Sequence, residues 1–497
     1  MEIAPNFPQA CNNLANALKE FDRLDEAIIA YRRAAALQPD APEPLSNLGN
    51  ALRDAGQWDS AMQCYLNALA IRPGHAVTHN NIGNAWCERG DWSAAISEYE
   101  QALALNPDYA DAINNLGTAL EETGRRDRAM QCYRRANELT PKAVSPPWNI
   151  ALLQLLQGDY ENGWRGYENR WRQKKQSKTW RDFKQPMVKN LTEMRGKRIL
   201  LHAEQGFGDA IQFCRYATLV AQEGATVLLE CPQKLVRIFK SIHGISEVIA
   251  RGEPLPNFDL HCPLMSLPMI FGTRLEPQRD MGLRPMPATM ENQRLLISDA
   301  PSTGQSPVSR PSEAGGFYLS ADVSDVAGWQ SRFAAEPPAL RVGLVWAGQA
   351  THQKDRHRSL SLSNFASLGE ISGVRFYSLQ VGNAADQAKA PAPLMKLIDW
   401  TADLHDFADT AALISQLDLV VTVDTAVCHL AGALGKPVWV LLAFQPDWRW
   451  LLDREDSPWY PKTRLFRQPA PGKWDQPLAR VTAQLTKILN RREDKMI

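Results

Sequence analysis

Neither sign of charge dominates this sequence: 55 Lys and Arg stand against 55 Asp and Glu. A dedicated nucleic-acid or anionic-membrane binder needs an excess of cations, so neither partner is expected. Long apolar runs are also missing. Stretches such as PVWVLLAF at 437–444 are far too short to cross a bilayer. The opening residues MEIAPNFPQA lack a basic stretch followed by an apolar core, which argues against a secretory leader and for a cytoplasmic location. The cysteines, at 11, 64, 87, 132, 214, 231, 262 and 428, form no C-x-x-C pair. That spacing suits neither a disulfide framework nor a structural zinc site, and reduced thiols are expected. No D-x-D, nucleophile elbow or Walker loop occurs, so a metal-bridged diphosphate of the single-Rossmann kind is not expected.

What is present is, first, a period. Pro5, Pro39, Pro73, Pro107 and Pro141 are each 34 residues apart. Ala27, Ala61, Ala95 and Ala129 keep the same step, as do Tyr31, Tyr65, Tyr99 and Tyr133. Gly56, Gly90, Gly124 and Gly158 mark a turn in each unit, with Asp22 in the glycine's place in the first. Small residues at Gly49, Gly83 and Gly117 let two helices approach, the alanines seat the second helix, the tyrosines are expected to wedge between units, and the prolines end the second helix. The period and pattern resemble the tetratricopeptide repeat, which implies stacked antiparallel helix pairs forming a superhelix with a concave groove. Four repeats are expected over 1–140. Residues 141–190 are expected to hold a degenerate fifth repeat and a linker, the Trp- and Arg-rich stretch around Trp164 and Trp171 capping the array and docking it on the next domain.

A further column in phase is Asn13, Asn47, Asn81, Asn115 and Asn149. It has two readings. Each amide either bonds locally, or the five line the groove as a ladder that grips an extended protein acceptor by its backbone, since an amide both donates and accepts.

From Arg198 the pattern changes to strand–helix alternation, which implies parallel sheets with covering helices. RILLH, TVLLEC and SEVIA read as strands of a first half over 191–283. The stretch 284–316, rich in Pro, Ser and Gly, reads as a flexible insertion. A second half over 317–497 begins with RVGLVWAG and continues through VRFYSLQ, DLVVTV and PVWVLLA. In such sheets a ligand sits beyond the carboxyl ends of the strands, so the two halves are expected to face each other across a cleft.

Three motifs fall at those ends. GFGDAIQF (206–213) leaves a strand and opens a helix. Gly206 and Gly208 would admit a ligand close to the backbone, and Asp209 reads either as a helix cap or as a reactive carboxylate. VDTAVCHLAGALGKP (423–437) has the same layout. Asp424 and Thr425 end the strand, the first amides of Thr425, Ala426 and Val427 suit a phosphate, and His429 lies one turn further, as a ligand contact or as a core histidine. HQKDRHRS (352–359) places Lys354, Arg356 and Arg358 on a basic loop, either solvated or facing a diphosphate.

These segments, with FADTAALISQLDLVV (407–421) and DWRWLLDREDSPWYP (447–461), resemble the tetratricopeptide-linked glycosyltransferases of the heptosyltransferase-like family 9. The resemblance implies a GT-B fold of two Rossmann-like halves and metal-independent transfer from a nucleoside-diphosphate sugar, with no other cofactor. It implies Asp209 as the base, and Asp424, Thr425 and His429 as the donor motif, with Ala426 where that family has glycine. Lys354 or Arg356 would meet the diphosphate. The layout is also similar to O-GlcNAc transferases and bacterial flagellin glycosyltransferases, which implies a protein Ser/Thr acceptor held by the repeats. Two other readings stand beside it: a non-catalytic repeat scaffold with a degenerate second part, and an enzyme acting on a cell-envelope saccharide.

Overall fold

The computed structural model describes residues 7–173, 180–275, 295–296, 317–351, 355–390 and 395–493. The chain divides into two compact units, Met1–Leu153 and Gln154–Ile497. The insertion expected at 284–316 lies outside the described residues, apart from 295–296, and so does Lys354.

The first unit is an array of helix pairs: α1 (Pro8–Glu20) with α2 (Leu24–Leu37), α3 (Pro42–Asp54) with α4 (Trp58–Ile71), α5 (Ala76–Arg89) with α6 (Trp92–Leu105), and α7 (Ala110–Glu122) with α8 (Arg126–Leu139). A further helix, α9 (Ser145–Leu156), follows. The turn glycines adopt the left-handed backbone the repeat requires, φ +74° at Gly56, +79° at Gly90 and +80° at Gly124, and Asp22 adopts φ +61° in the first unit. Pro39, Pro73, Pro107 and Pro141 each stand two residues past the end of a second helix, where they prevent continuation, and Pro5 lies outside the described residues.

The tyrosines do not wedge between units as expected. A Cβ on Gly83 would lie 2.5 Å from the Tyr99 ring, and Gly49 and Gly117 stand in the same relation to Tyr65 and Tyr133. The ring therefore lies on the glycine of its own pair and closes that pair. Its hydroxyl then donates to the same first helix: Tyr65 to Asn50 at 2.8 Å and Tyr99 to Asn84 at 2.7 Å. The physical reason is reach, since a ring seated on a bare glycine brings its hydroxyl to the side chain of the next residue of that helix.

Stacking between units falls to the asparagine column. Asn47 donates to Asn12 at 3.0 Å, Asn81 to Ser46 at 2.9 Å, Asn115 to Asn80 at 3.0 Å, and Asn149 to Asn114 at 3.1 Å. Every one of these bonds joins residues 35 apart, one repeat plus one position. Asn13, in the first pair, is exposed and accepts from Gln9 within its own helix.

The second unit opens with α10 (Tyr160–Tyr167). This stretch was expected both to cap the repeats and to dock on the next domain, and its side chains pack into the α/β part. Trp164 is buried with its ring 5.8 Å from that of Phe213 and 5.1 Å from that of Trp448. Arg170 is fully buried, donating to Ser266 at 2.6 Å and Glu204 at 3.2 Å and pairing with Glu168.

Two parallel sheets follow. The first holds β1 (Arg198–His202), β2 (Thr226–Cys231), β3 (Ile245–Ala250) and β4 (Leu260–Pro263), in the order β3-β2-β1-β4. Helices α11 (Phe207–Phe213) and α12 (Arg215–Gln222) connect β1 to β2, and the short α13 (Val236–Phe239) precedes β3. A two-stranded pair, β5 (Arg274–Leu275) with β6 (Leu295–Leu296), stands apart. After α14 (Val323–Ala334) the second sheet comprises β7 (Leu340–Val345), β8 (Val374–Ser378), β9 (Leu397–Asp399), β10 (Leu419–Val423), β11 (Val438–Leu442) and β12 (Thr463–Arg467). Its order is β12-β11-β10-β7-β8-β9. Between these strands lie α15 (Asp355–Arg358), α16 (Phe407–Ser415) and α17 (Ala426–Ala433), and α18 (Asp475–Glu493) follows β12. Its core gathers Val342, Leu344, Val421, Val423 and Leu441 with Val481 and Leu485 of α18. This is the strand order of a doubly wound nucleotide-binding sheet, in which the chain reverses direction between β7 and β10. The fold class is the expected one: stacked helical repeats, then two Rossmann-like halves.

Candidate functional site

In a sheet of this order the place for a ligand crevice is beyond the carboxyl ends of the strands at the reversal, here β7 and β10. From β10 come Asp424 and Thr425, both half-buried, and Thr425 is the N-cap of α17. From the β7 side comes Gly348, where a Cβ would lie 2.9 Å from the Arg358 guanidinium. The Asp355 carboxylate is closer still, at 2.5 Å, and pairs with Arg358 at 3.5 Å, so Gly348 is bare because the Asp355–Arg358 pair folds across it. Arg358 is half-buried and is among the charges that act on Asp424, whereas Arg356 is exposed. The sequence pointed to Lys354 or Arg356; of the two, the described Arg356 faces outward, and Arg358 is the basic side chain of α15 that reaches the crevice. A signal existed, because Arg358 is the last helical residue before the chain re-enters the core at Leu360.

From the first half, Gly206 caps α11 and its amide donates to the Asp209 carboxylate at 2.9 Å. The cap reading of Asp209 is therefore realised. The other carboxylate oxygen accepts from Arg449, 240 residues away in the second half. The Arg449 guanidinium is buried. It donates through Nε to Gln212 at 2.7 Å and through Nη1 to Asp447 at 2.7 Å, and it lies 4.3 Å over the Trp448 ring. Sequence reasoning missed Arg449, since nothing in the DWRW stretch pairs it with α11.

Gly208 serves packing: a Cβ there would lie 2.9 Å from Cδ2 of His429 and 3.6 Å from the Cα of Ala426. Helices α11 and α17 are in direct contact at this point. His429 is buried, its Nδ1 is 3.0 Å from the Tyr460 hydroxyl, and its ring stacks on Trp450 at 5.5 Å. Burial, reinforced by Arg449, lowers its pKa to about 3, so it is a neutral imidazole. Val427 is buried too. The structure thus brings Gly206, Asp209, Asp424, Thr425 and Ala426 to one region, with His429 and Val427 behind them.

The electrostatics are mixed. Burial and the neighbouring Asp447 raise Asp424 to about 6, against the pull of Arg358 and Arg449. Burial pushes Asp447 up, but Arg449 outweighs it and holds Asp447 below the usual carboxylate range. Asp424, Cys428 and His429 each bring a ligand-type atom within 4.8 Å of the others. They suit a cation poorly, since burial drives the Cys428 thiol well above its usual range and Arg358 and Arg449 face the same spot. At the other sheet, the ends of β1 and β4 hold His202 and His261 with ring nitrogens 3.3 Å apart, both buried.

Two parts of the chain match known families. Residues 8–41, 49–86, 83–124 and 110–142 match tetratricopeptide repeats, and residues 401–451 match glycosyltransferase family 9 (heptosyltransferase). The chain is 25% identical over 346 residues to protein FlbA of Caulobacter vibrioides, covering 67% of this chain and 54% of that protein. It therefore spans about half the length of that relative. Among solved structures it is similar to pilF of Pseudomonas aeruginosa, with 19% identity, 33% of this chain and 74% of that one covered, and a TM-score of 0.30. It is also similar to a thermophilic repeat protein of Thermus thermophilus, with 22% identity, 34% and 92% covered, and a TM-score of 0.31. Among the described residues, no helix is long and apolar enough to cross a membrane.

Proposed function

We propose that the chain is a glycosyltransferase of the GT-B kind, moving a sugar from a nucleoside diphosphate to an acceptor hydroxyl selected by the repeats. The observation that carries this reading is the crevice at the β7–β10 reversal, lined by Asp424, Thr425 and Arg358 within and beside the segment that matches family 9. The first amides of α17 and the Arg358 fork supply donors for a diphosphate, so the leaving group is neutralised without a metal ion. As the acceptor oxygen bonds the anomeric carbon, its proton passes to Asp209. The old carbon–oxygen bond breaks, and its electron pair leaves with the nucleoside diphosphate. General-base assistance of this kind is typically worth about 10²–10⁴-fold.

The acceptor in this reading is a protein Ser or Thr in an extended segment. Asn47, Asn81 and Asn149 each spend one amide N–H between repeats and Asn115 spends both, so a bound chain would meet the remaining N–H groups, the carboxamide oxygens and the neighbouring polar cavity. That cavity, of about 410 Å³, is lined by Asn80, Asn84, Asp111, Asn114 and Asn115. A cytoplasmic location follows from a nucleotide-sugar donor rather than from the fold. The test is donor hydrolysis by the purified chain with a panel of nucleotide sugars. Release of nucleoside diphosphate that Asp209→Asn abolishes is the expected result; no release with any donor favours the non-catalytic scaffold.

A further inference from the structure

Among the described residues, Arg449 is the one side chain that hydrogen-bonds simultaneously to the proposed base, to the helix carrying that base, and to a carboxylate of the opposite half. Its Nε and Nη2 both point to α11, on Gln212 and Asp209, three residues apart on one face of that helix. Its Nη1 and its own backbone amide both go to Asp447, at 2.7 and 3.0 Å. The guanidinium plane rests on Trp448. A planar fork used on every edge is a rigid part, not a mobile surface cation.

The loop that carries it is strained in a way that serves this placement. Leu451, buried two residues on, adopts φ +53°, a left-handed backbone that a branched side chain disfavours. The Trp448–Trp450 turn is capped by Asp447, the carboxylate that also anchors the guanidinium. Cap, strained exit and aromatic platform together fix where the fork points.

Asp209 is correspondingly fixed at both oxygens, one by the Gly206 amide and one by Arg449. A carboxylate free to rotate offers an acceptor hydroxyl many orientations; one clamped at both oxygens offers one. We infer that Arg449 is a positioning residue for transfer: it orients the Asp209 carboxylate from the opposite half, so that the base is aligned only when the halves are closed on each other. This rests on the reading of Asp209 as the base. Arg449 itself touches neither sugar nor diphosphate in this role.

The test compares wild type, Asp209→Asn, Arg449→Lys and Arg449→Ala as full chains, each checked by far-UV circular dichroism and thermal unfolding. Initial rates of nucleotide-sugar turnover are measured together with binding of the nucleoside diphosphate product. Misaligning a reacting group by about 1 Å costs about 10²-fold in rate. Arg449→Ala is therefore expected to lose about 10²-fold in kcat with donor KM and product Kd little changed. Arg449→Lys should fall between the two, since it keeps the charge and loses the fork. Added guanidinium at millimolar concentration should restore part of the Arg449→Ala rate by refilling the vacated space. Product Kd rising as kcat falls would make Arg449 a diphosphate ligand and overturn the inference. An undiminished kcat in folded Arg449→Ala, or an unfolded Arg449→Ala together with an undiminished Arg449→Lys, would also overturn it. If Asp209→Asn turns over as wild type does, or wild type does not turn over at all, the proposed function has failed instead, and this inference with it.

Discussion

Gly208 stands directly against His429: a methyl group added at Gly208 would lie 2.9 Å from the imidazole Cδ2. The two residues belong to the helices that leave β1 and β10, and their contact sets how closely the two halves approach. The glycine that the sequence offered as room for a ligand is instead room for a histidine. The imidazole is held by Tyr460 and Trp450 and has little freedom to yield. Gly208→Ala is accordingly expected to destabilise the second unit by about 1–3 kcal/mol, as overpacking does. Denaturant unfolding measures this directly, and a neutral result would mean the helices are less tightly apposed than described.

The repeats show the same relationship at closer range, 2.5 Å between a Cβ at Gly83 and the Tyr99 ring. In an exposed helix, Gly→Ala gains about 1 kcal/mol. At Gly83, where the Tyr99 ring occupies the space, Gly83→Ala is expected to reverse that sign and lower the first melting transition. Asp22→Gly should do the opposite. It relieves a left-handed aspartate at φ +61° and should stabilise the first repeat by roughly 0.5–1 kcal/mol.

Asparagines that staple repeats should matter for stability whether or not any acceptor is present. Asn81→Ala removes a bond to the buried Ser46 hydroxyl and is expected to cost about 0.5–1.5 kcal/mol, more if the hydroxyl is left unpaired. Exposed Asn13 bonds only within its own helix, so Asn13→Ala should leave stability nearly unchanged. A peptide-capture assay on the two variants then separates stacking from acceptor binding. If Asn81→Ala unfolds no more easily than Asn13→Ala, the column is not a staple.

Two buried groups give stability opposite pH slopes. Burial raises Glu204 to about 7, partly countered by Arg170. A carboxyl with a raised folded pKa contributes stability that is whole below its unfolded value and is lost as pH climbs through about 7. Burial, with His261 beside it, lowers His202 to about 3. Its contribution is whole above pH 6.5 and is lost as pH falls toward 3. Each shift corresponds to roughly 3–5 kcal/mol at most. The two slopes nearly cancel between about pH 4.5 and 6.5, so Glu204→Gln is expected to expose a profile that rises from about pH 3 to 6.5, and His202→Gln one that falls from about pH 4.5 to 7. Variant profiles that run parallel to wild type from pH 4 to 8 would contradict both assignments.

How legible was this in the sequence? The repeats were legible because one set of contacts recurs every 34 residues, so each position is printed several times. The strands were legible where both faces are buried and the apolar run is unbroken, as at Leu419–Val423 and Val438–Leu442. Strands β9 and β12 were not, because Leu397–Asp399 is too short and Thr463–Arg467 too interrupted by charge to stand out. The region of the site was legible from two Gly-Asp or Asp-Thr turns at strand ends. Its closure was not: Asp209 and Arg449 meet only once two separate sheets have formed, and no local pattern encodes a partner 240 residues away.

The most direct measurement is thermal unfolding of the full chain with a panel of nucleoside diphosphates and their sugars, in wild type and Arg358→Gln. Ligand at about 100 times its Kd stabilises the site-bearing unit by about 2.7 kcal/mol. The expected result is a clear upward shift with at least one nucleoside diphosphate, and roughly a tenfold weaker Kd in Arg358→Gln, the loss of one charged hydrogen bond. No shift with any of the panel at millimolar concentration, or a shift that Arg358→Gln leaves untouched, would contradict a diphosphate site at the β7–β10 crevice.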